Sequence, residues 1–207
     1  MKRLSILIII VILALPAFAV DREFIGKLGT SYAHDLESFG FDLSANYLFD
    51  IDPWFVAGFE ADFFWIPWEK KLGTIAGPPE KEVVATTNTF AFPFFCNAQV
   101  RLPFLVDKIY VEPYVTVGIG YSLMFLTYHQ PSFHNEDNNT DYAKKNVFGF
   151  YHGFTWQFLP GVSFKPSPKS NIKFVGELGY RGLSPGNADE KIVMSGLLLR
   201  VGVLFQI

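Results

Sequence analysis

Residues 148–164 read FGFYHGFTWQFLPGVSF, and their order decides the fold. Large apolar side chains recur at even positions: Phe148, Phe150, Phe154, Trp156, Phe158, Val162 and Phe164. Tyr151, Thr155, Gln157 and Ser163 hold the odd ones. Successive side chains of a β-strand point to opposite faces, so a period of two means a strand with one greasy and one polar face.

The same alternation runs through the rest of the chain. Phe90, Phe92, Phe94, Cys96, Val100 and Leu102 oppose Asn97, Gln99 and Arg101. Phe55, Ala57, Phe59, Ala61, Phe63 and Trp65 oppose Glu60 and Asp62, and Phe41, Leu43, Ala45, Tyr47 and Phe49 oppose Asp42, Ser44 and Asn46. Val115, Val117, Ile119, Tyr121, Leu123 and Phe125 oppose Glu112, Thr116 and Ser122. Three further segments split the same way around Lys27, around Lys173, Glu177 and Arg181, and around Arg200. The pattern predicts eight strands, at about 23–34, 40–50, 54–69, 86–104, 109–128, 147–165, 171–183 and 191–207. An even number lets an antiparallel up-and-down meander close into a barrel with both termini at one end. The expected connections alternate in length. Asp50–Pro53, Leu105–Lys108 and Pro166–Ser170 read as short turns, and Asp35–Phe39, Lys70–Ala85, Gln130–Lys145 and Ser184–Glu190 as longer loops. Transmembrane barrels have this layout, with short periplasmic turns and longer extracellular loops.

A soluble sandwich also alternates, so the inward face has to be argued. The apolar faces carry most of the 23 phenylalanines, more volume than the interior of an eight-stranded barrel holds. Facing lipid, they need no interior room. The opposite faces carry Lys27, Arg101, Lys173, Arg181 and Arg200 against Asp42, Glu60, Asp62, Glu112 and Glu177. Equal numbers of each sign suit a narrow, charge-paired lumen, because an unpaired buried charge is strongly unfavourable. Trp54, Phe64, Phe95, Tyr114 and Tyr151 are expected to help fill that bore. Trp65, Trp68, Trp156, Tyr110, Tyr128 and Tyr180 near strand ends fit aromatic girdles.

Composition narrows the function classes. The chain has 207 residues, of which 18% are charged, and a net charge of -3, which offers no footprint for nucleic acid. A single cysteine, Cys96, excludes an internal disulfide framework and a cysteine metal cluster. Lys2 and Arg3, the apolar run Leu4–Leu15 and Ala17-Phe18-Ala19 read as a signal peptide over 1–19, which leaves a barrel domain over 20–207.

These residues resemble the small eight-stranded outer-membrane barrels of Gram-negative bacteria, of the OmpA, OmpX and OmpW types. The last strand, Arg200-Val-Gly202-Val-Leu-Phe205-Gln-Ile207, is similar to the terminal signal read by the barrel assembly machinery. In that signal Gly202, Phe205 and Ile207 take the marked places, with Ile207 standing where an aromatic is usual. Pro113-Tyr114-Val115-Thr-Val-Gly118-Ile-Gly120-Tyr121 is similar to a segment common in such barrels. The resemblance implies an outer-membrane location, lipid and the assembly machinery as partners, and a structural or surface-interaction role.

Particular residues bear on two other roles. Pro67 and Pro93 fall on the third and fourth strands, where each lacks the N–H a ladder needs. A seam loosened there would open sideways and pass small hydrophobic molecules, as the OmpW resemblance implies. Lipid A-modifying barrel enzymes rank third. The deacylase type needs a Ser two residues after a lipid-facing His, and here Phe154 follows His152. No Asp-Ser pair exists for the palmitoyl-transferase type. His34, His129, His134 and His152 all map to the outer end, and the loop of His129 and His134 also bears Glu136, Asp137 and Asp141, without a metal-ligand spacing. Asn138-x-Thr140 reads as a plain polar loop. No catalytic, cofactor or metal site is expected.

Overall fold

The alternating segments become strands because each can hydrogen-bond to a neighbour while sending its two faces to different surroundings. The computed structural model describes residues 21–75, 81–106, 110–135, 139–167, 170–186 and 192–207. The signal-peptide segment, 1–19, lies outside the described residues. In chain order the strands are β1 (Arg22–Ala33), β2 (Ser38–Asp50), β3 (Phe55–Ile75), β4 (Lys81–Arg101), β5 (Val111–Gln130), β6 (Phe133–Asn135), β7 (Thr140–Tyr142), β8 (Lys145–Phe164), β9 (Ile172–Leu183) and β10 (Gly196–Gln206). Eight of them close a barrel in the order β1-β10-β9-β8-β5-β4-β3-β2, and β6 and β7 form a separate small hairpin. All the pairings are antiparallel. The closing seam runs from Glu23↔Gln206 to Ala33↔Gly196.

Several strand ends and loops differ from expectation. Lys70–Ala85, read as a loop, is mostly ladder: β3 and β4 stay paired up to Lys71↔Val84 and, after an irregularity, to Ile75↔Lys81. Runs of consecutive polar residues, Glu69 to Lys71 and Glu80 to Glu82, interrupt the period of two, so no alternation marked it. Asp35–Phe39 is a tight connection, in which a single 3₁₀ turn, His34–Leu36, is ended by Glu37 at φ 48°. The Gln130–Lys145 loop contains the β6–β7 hairpin, closed by Phe133 stacked on Tyr142 with centroids 4.8 Å apart. The last strand begins at Gly196, not near 191.

Proline effects are local. Pro67 sits opposite Asn88 in unbroken β3–β4 pairing, so the seam is intact there. The β2–β3 ladder does stop at Phe41↔Trp65, just below Pro67, whose carbonyl accepts a 2.9 Å bond from Ser38 Oγ. Beside Pro93 the β3–β4 pairing lapses between Ala61↔Phe94 and Phe64↔Ala91. Pro160 marks a similar lapse in β8–β9, between Phe158↔Tyr180 and Gly161↔Glu177. In both cases the missing proline N–H accounts for it.

Inside, the bore is layered. Near the short-turn end, Ile25, Leu48, Val56, Val175 and Leu204 form one apolar cluster. The middle is ionic. The loop end is apolar again, packed from Ala33, Phe64, Ile66, Ala91, Met124, Leu126, Tyr151, Leu183 and Met194. Trp54 is not part of the fill: it lies at the β2–β3 turn, 44% exposed, because the strand starts one residue later at Phe55. Trp68 and Tyr128 leave the expected outer girdle and pack against the loop-end cluster. They are one position out of phase with the outward Trp65 and Thr127.

Candidate functional site

The middle of the bore is a single hydrogen-bonded charge network, and the register of the strands builds it. Ser44 pairs with Asp62 and Asn46 with Glu60 across β2–β3, and Arg200 with Glu177 across β9–β10. Residues opposed in a ladder share a face, so all of these side chains enter the lumen together. Arg200 reaches four carboxylates: Glu60 at 2.5 Å, Glu177 at 3.0 Å, Asp62 at 3.3 Å and Asp42 at 3.5 Å. Arg181 bonds Asp42 at 2.7 Å and also Asp62, with its guanidinium over the Phe95 ring at 5.3 Å. Lys27 donates to Glu177 at 2.8 Å. Neutral donors complete the shell around the carboxylates. Asn46, Asn97 and Gln157 donate to Glu60 Oε2 at 2.8, 2.7 and 3.1 Å, and the Tyr114 hydroxyl donates to Glu177 at 3.0 Å. Arg200 and Arg181 are 0% and 1% exposed, so this network is shielded from solvent.

A second group sits at the short-turn end. Arg101 bonds Glu23 and reaches Asp50 at 3.3 Å, and Lys173 bonds Glu112 at 3.0 Å and lies 3.7 Å from Glu23. The lumen charges named from the sequence thus fall into two sets, Lys27, Asp42, Glu60, Asp62, Glu177, Arg181 and Arg200 in one, Arg101, Glu112 and Lys173 in the other. Sequence reasoning missed Glu23 and Asp50. Glu23 is in phase with Lys27, four residues on, which was the available signal; Asp50 ends its strand in phase with Asp42. With them, acids outnumber bases in both sets.

The outer wall has the opposite character. Phe148, Phe154, Leu28, Leu178, Ile119 and Val201 are each more than half exposed, on different strands around the barrel. Soluble proteins rarely expose an apolar patch beyond a few hundred Å². A continuous apolar belt around a charged bore is the arrangement of a barrel in hydrocarbon.

No family model matches the sequence, and no curated protein matches it. Solved structures do. A major outer membrane protein from Thermus thermophilus is 13% identical with a TM-score of 0.50, over 90% of this chain and 99% of that one. The outer membrane protein OprG from Pseudomonas aeruginosa is 8% identical with a TM-score of 0.50, over 91% and 97%. The chain has the fold of the small outer-membrane β-barrels. At these identities the likeness speaks for the architecture, and the side chains must speak for the rest.

The histidines do not converge on one site in this barrel. His134 pairs with Asp141 at 2.7 Å, His129 with Asn146 at 2.6 Å, and His152 with the Tyr121 hydroxyl. No group of three or more metal-ligating side chains occurs among the described residues. Glu136, Asp137 and Asn138 lie outside them. Tyr121 as the partner of His152 was not foreseen; its signal was the lipid-facing phase it shares with Leu123, which pairs with His152. Gly202 sits in the closing seam, where an added Cβ would lie 2.3 Å from the Gly26 carbonyl. Phe205 and Ile207 face outward, and the Ile207 N–H bonds Arg22 O at 2.9 Å.

Proposed function

We propose that the chain is an integral barrel of the bacterial outer membrane with a structural or surface-interaction role, and that its bore is sealed. One observation carries this reading: Arg200 on β10 is bonded at once to β2, β3 and β9, under an apolar layer that fills the loop end. Passing water or ions would require breaking both. An eight-stranded barrel has room for little more than its own side chains. The extended β3–β4 ribbon and the β6–β7 hairpin then serve as the extracellular contact surface. Lipid is the surrounding partner, and Gly202, Phe205 and Ile207 form the signal for the assembly machinery. Catalysis is not part of the proposal: the residue two after His152 is Phe154, so the serine nucleophile of acyl chemistry is missing.

The test is conductance of the refolded chain in planar lipid bilayers. The reading requires a flat trace at all voltages; steady open-channel steps would refute it. A second reading, a lateral conduit for small apolar solutes, is favoured by the lapse in pairing at Pro93. It calls for dye uptake into vesicles that a disulfide across β3–β4 abolishes.

A further inference from the structure

The outward face at the loop end changes character over three successive rows of β3, β4, β5 and β8. The lowest row is aromatic. Trp65, Phe90, Phe125 and Phe150 follow one another in register, with Trp65 stacked on Phe90 at 6.5 Å and Phe125 against Phe150 at 5.2 Å. Two residues higher stand Pro67, Asn88, Thr127 and Phe148, and two higher again Glu69, Thr86, His129 and Asn146. Four residues of strand span about 14 Å. The wall therefore passes from wholly aromatic to wholly polar over that distance.

A groove of ≈ 420 Å³ opens across the upper two rows, with Thr86, Asn88, Thr127, His129, Asn146 and Phe148 among its walls. Its polar side chains are held at one end. Asn88 Oδ1 accepts from the Trp65 indole N–H at 3.2 Å, and the Asn88 carbonyl accepts from Thr127 Oγ1 at 3.4 Å. His129 Nδ1 lies 2.6 Å from Asn146 Oδ1. The amide N–H groups of Asn88 and Asn146 and the far nitrogen of His129 have no partner among the described residues and are open to a ligand. No lysine or arginine is among the described residues that line the groove, which favours hydroxyl and carbonyl groups over phosphate.

We infer that this groove seats the sugar head group of an outer-leaflet glycolipid, whose acyl chains run down over the Trp65–Phe90–Phe125–Phe150 row. The occupant follows from continuity: the groove is the upward extension of the lipid-facing wall, and a molecule lying on the aromatic row brings its head group to Asn88 and Asn146. The inference rests on the outer-membrane reading above.

The experiment uses the refolded barrel in micelles, with deep-rough lipooligosaccharide as the probe and retained molecules counted by native mass spectrometry. The barrel should retain the probe at concentrations about tenfold lower than phosphatidylglycerol. The Asn88→Ala/Asn146→Ala variant should lose about tenfold in retention, and Thr127→Val, which keeps the shape, a few-fold. Dephosphorylated probe should bind as well as the intact one, and the delipidated core sugar much less. Equal retention by variants and wild type, equal retention of phosphatidylglycerol, loss on dephosphorylation, or full binding of the free sugar would each overturn the inference. Outer-membrane fractionation and heat-modifiable migration of the same chain separate the two readings. A folded, correctly located barrel that retains no probe refutes the head-group site alone. A chain absent from the outer membrane refutes the reading beneath it.

Discussion

Replacing Arg200 with Met should be among the most damaging single substitutions in the barrel. Its guanidinium lies 2.5–3.5 Å from four carboxylates, and it is fully buried. Without it, Lys27 and Arg181 alone face Asp42, Glu60, Asp62 and Glu177. Methionine fills most of the volume, so lost packing is a minor part of the effect. Breaking a buried ion pair by removing one partner costs ~3–5 kcal/mol, because the remaining charge is neither solvated nor compensated. With a urea slope of ~2 kcal/mol/M, that lowers the unfolding midpoint by ~2 M. Equilibrium unfolding in lipid vesicles, followed by tryptophan fluorescence, measures it. Arg200→Lys keeps the charge but loses the fork that spans three strands, and should fall between. Adding Glu177→Gln to Arg200→Met should recover ~1–3 kcal/mol through the coupling of the pair. A midpoint for Arg200→Met within error of the wild type would refute the reasoning, since it would mean the network is hydrated or absent.

The surplus of acid predicts unequal carboxylates. Both aspartates accept from Arg181 and Arg200, but Asp42 takes one bond on each oxygen, whereas both fall on Asp62 Oδ2 and Asp62 Oδ1 has no hydrogen-bond partner among the described residues. Asp62→Asn should therefore cost less than ~1 kcal/mol in the same unfolding assay and Asp42→Asn ~3 kcal/mol; equal losses would contradict the geometry. Two glycines of the closing seam should also part company. A Cβ on Gly202 would collide with the Gly26 carbonyl, while one on Gly26 meets nothing within 4 Å. Gly202→Val should lose the heat-modifiable folded band, and Gly26→Ala should keep it.

Strand number and facing were legible because the period of two is local: Phe148 to Phe164 needs no knowledge of its neighbours to show two faces. The ion pairs were legible as a set but not as pairs. Lys27 and Glu177 are 150 residues apart, and only closure of the barrel brings them together. Beyond Phe64 and Tyr151, the apolar loop-end layer was hidden for a different reason. Around Phe63-Phe64-Trp65-Ile66 both faces are apolar, so alternation vanishes where one face meets lipid and the other a dry core. The β3–β4 ribbon failed in the reverse sense, since Glu69, Lys70 and Lys71 are polar on both sides. The groove at Asn88, Thr127 and Asn146 combines residues from three strands, each unremarked alone.

The central claim is that the phenyl-rich faces meet acyl chains while the charged faces meet each other. Cys96 tests it without mutagenesis: it is the single cysteine, and it lies exposed on the outer face, one residue from the inward Phe95 and Asn97. A nitroxide attached there in lipid vesicles should collide with oxygen far more often than with a water-soluble nickel chelate. Faster relaxation by nickel than by oxygen would put Cys96 in water, and the Phe-bearing face with it.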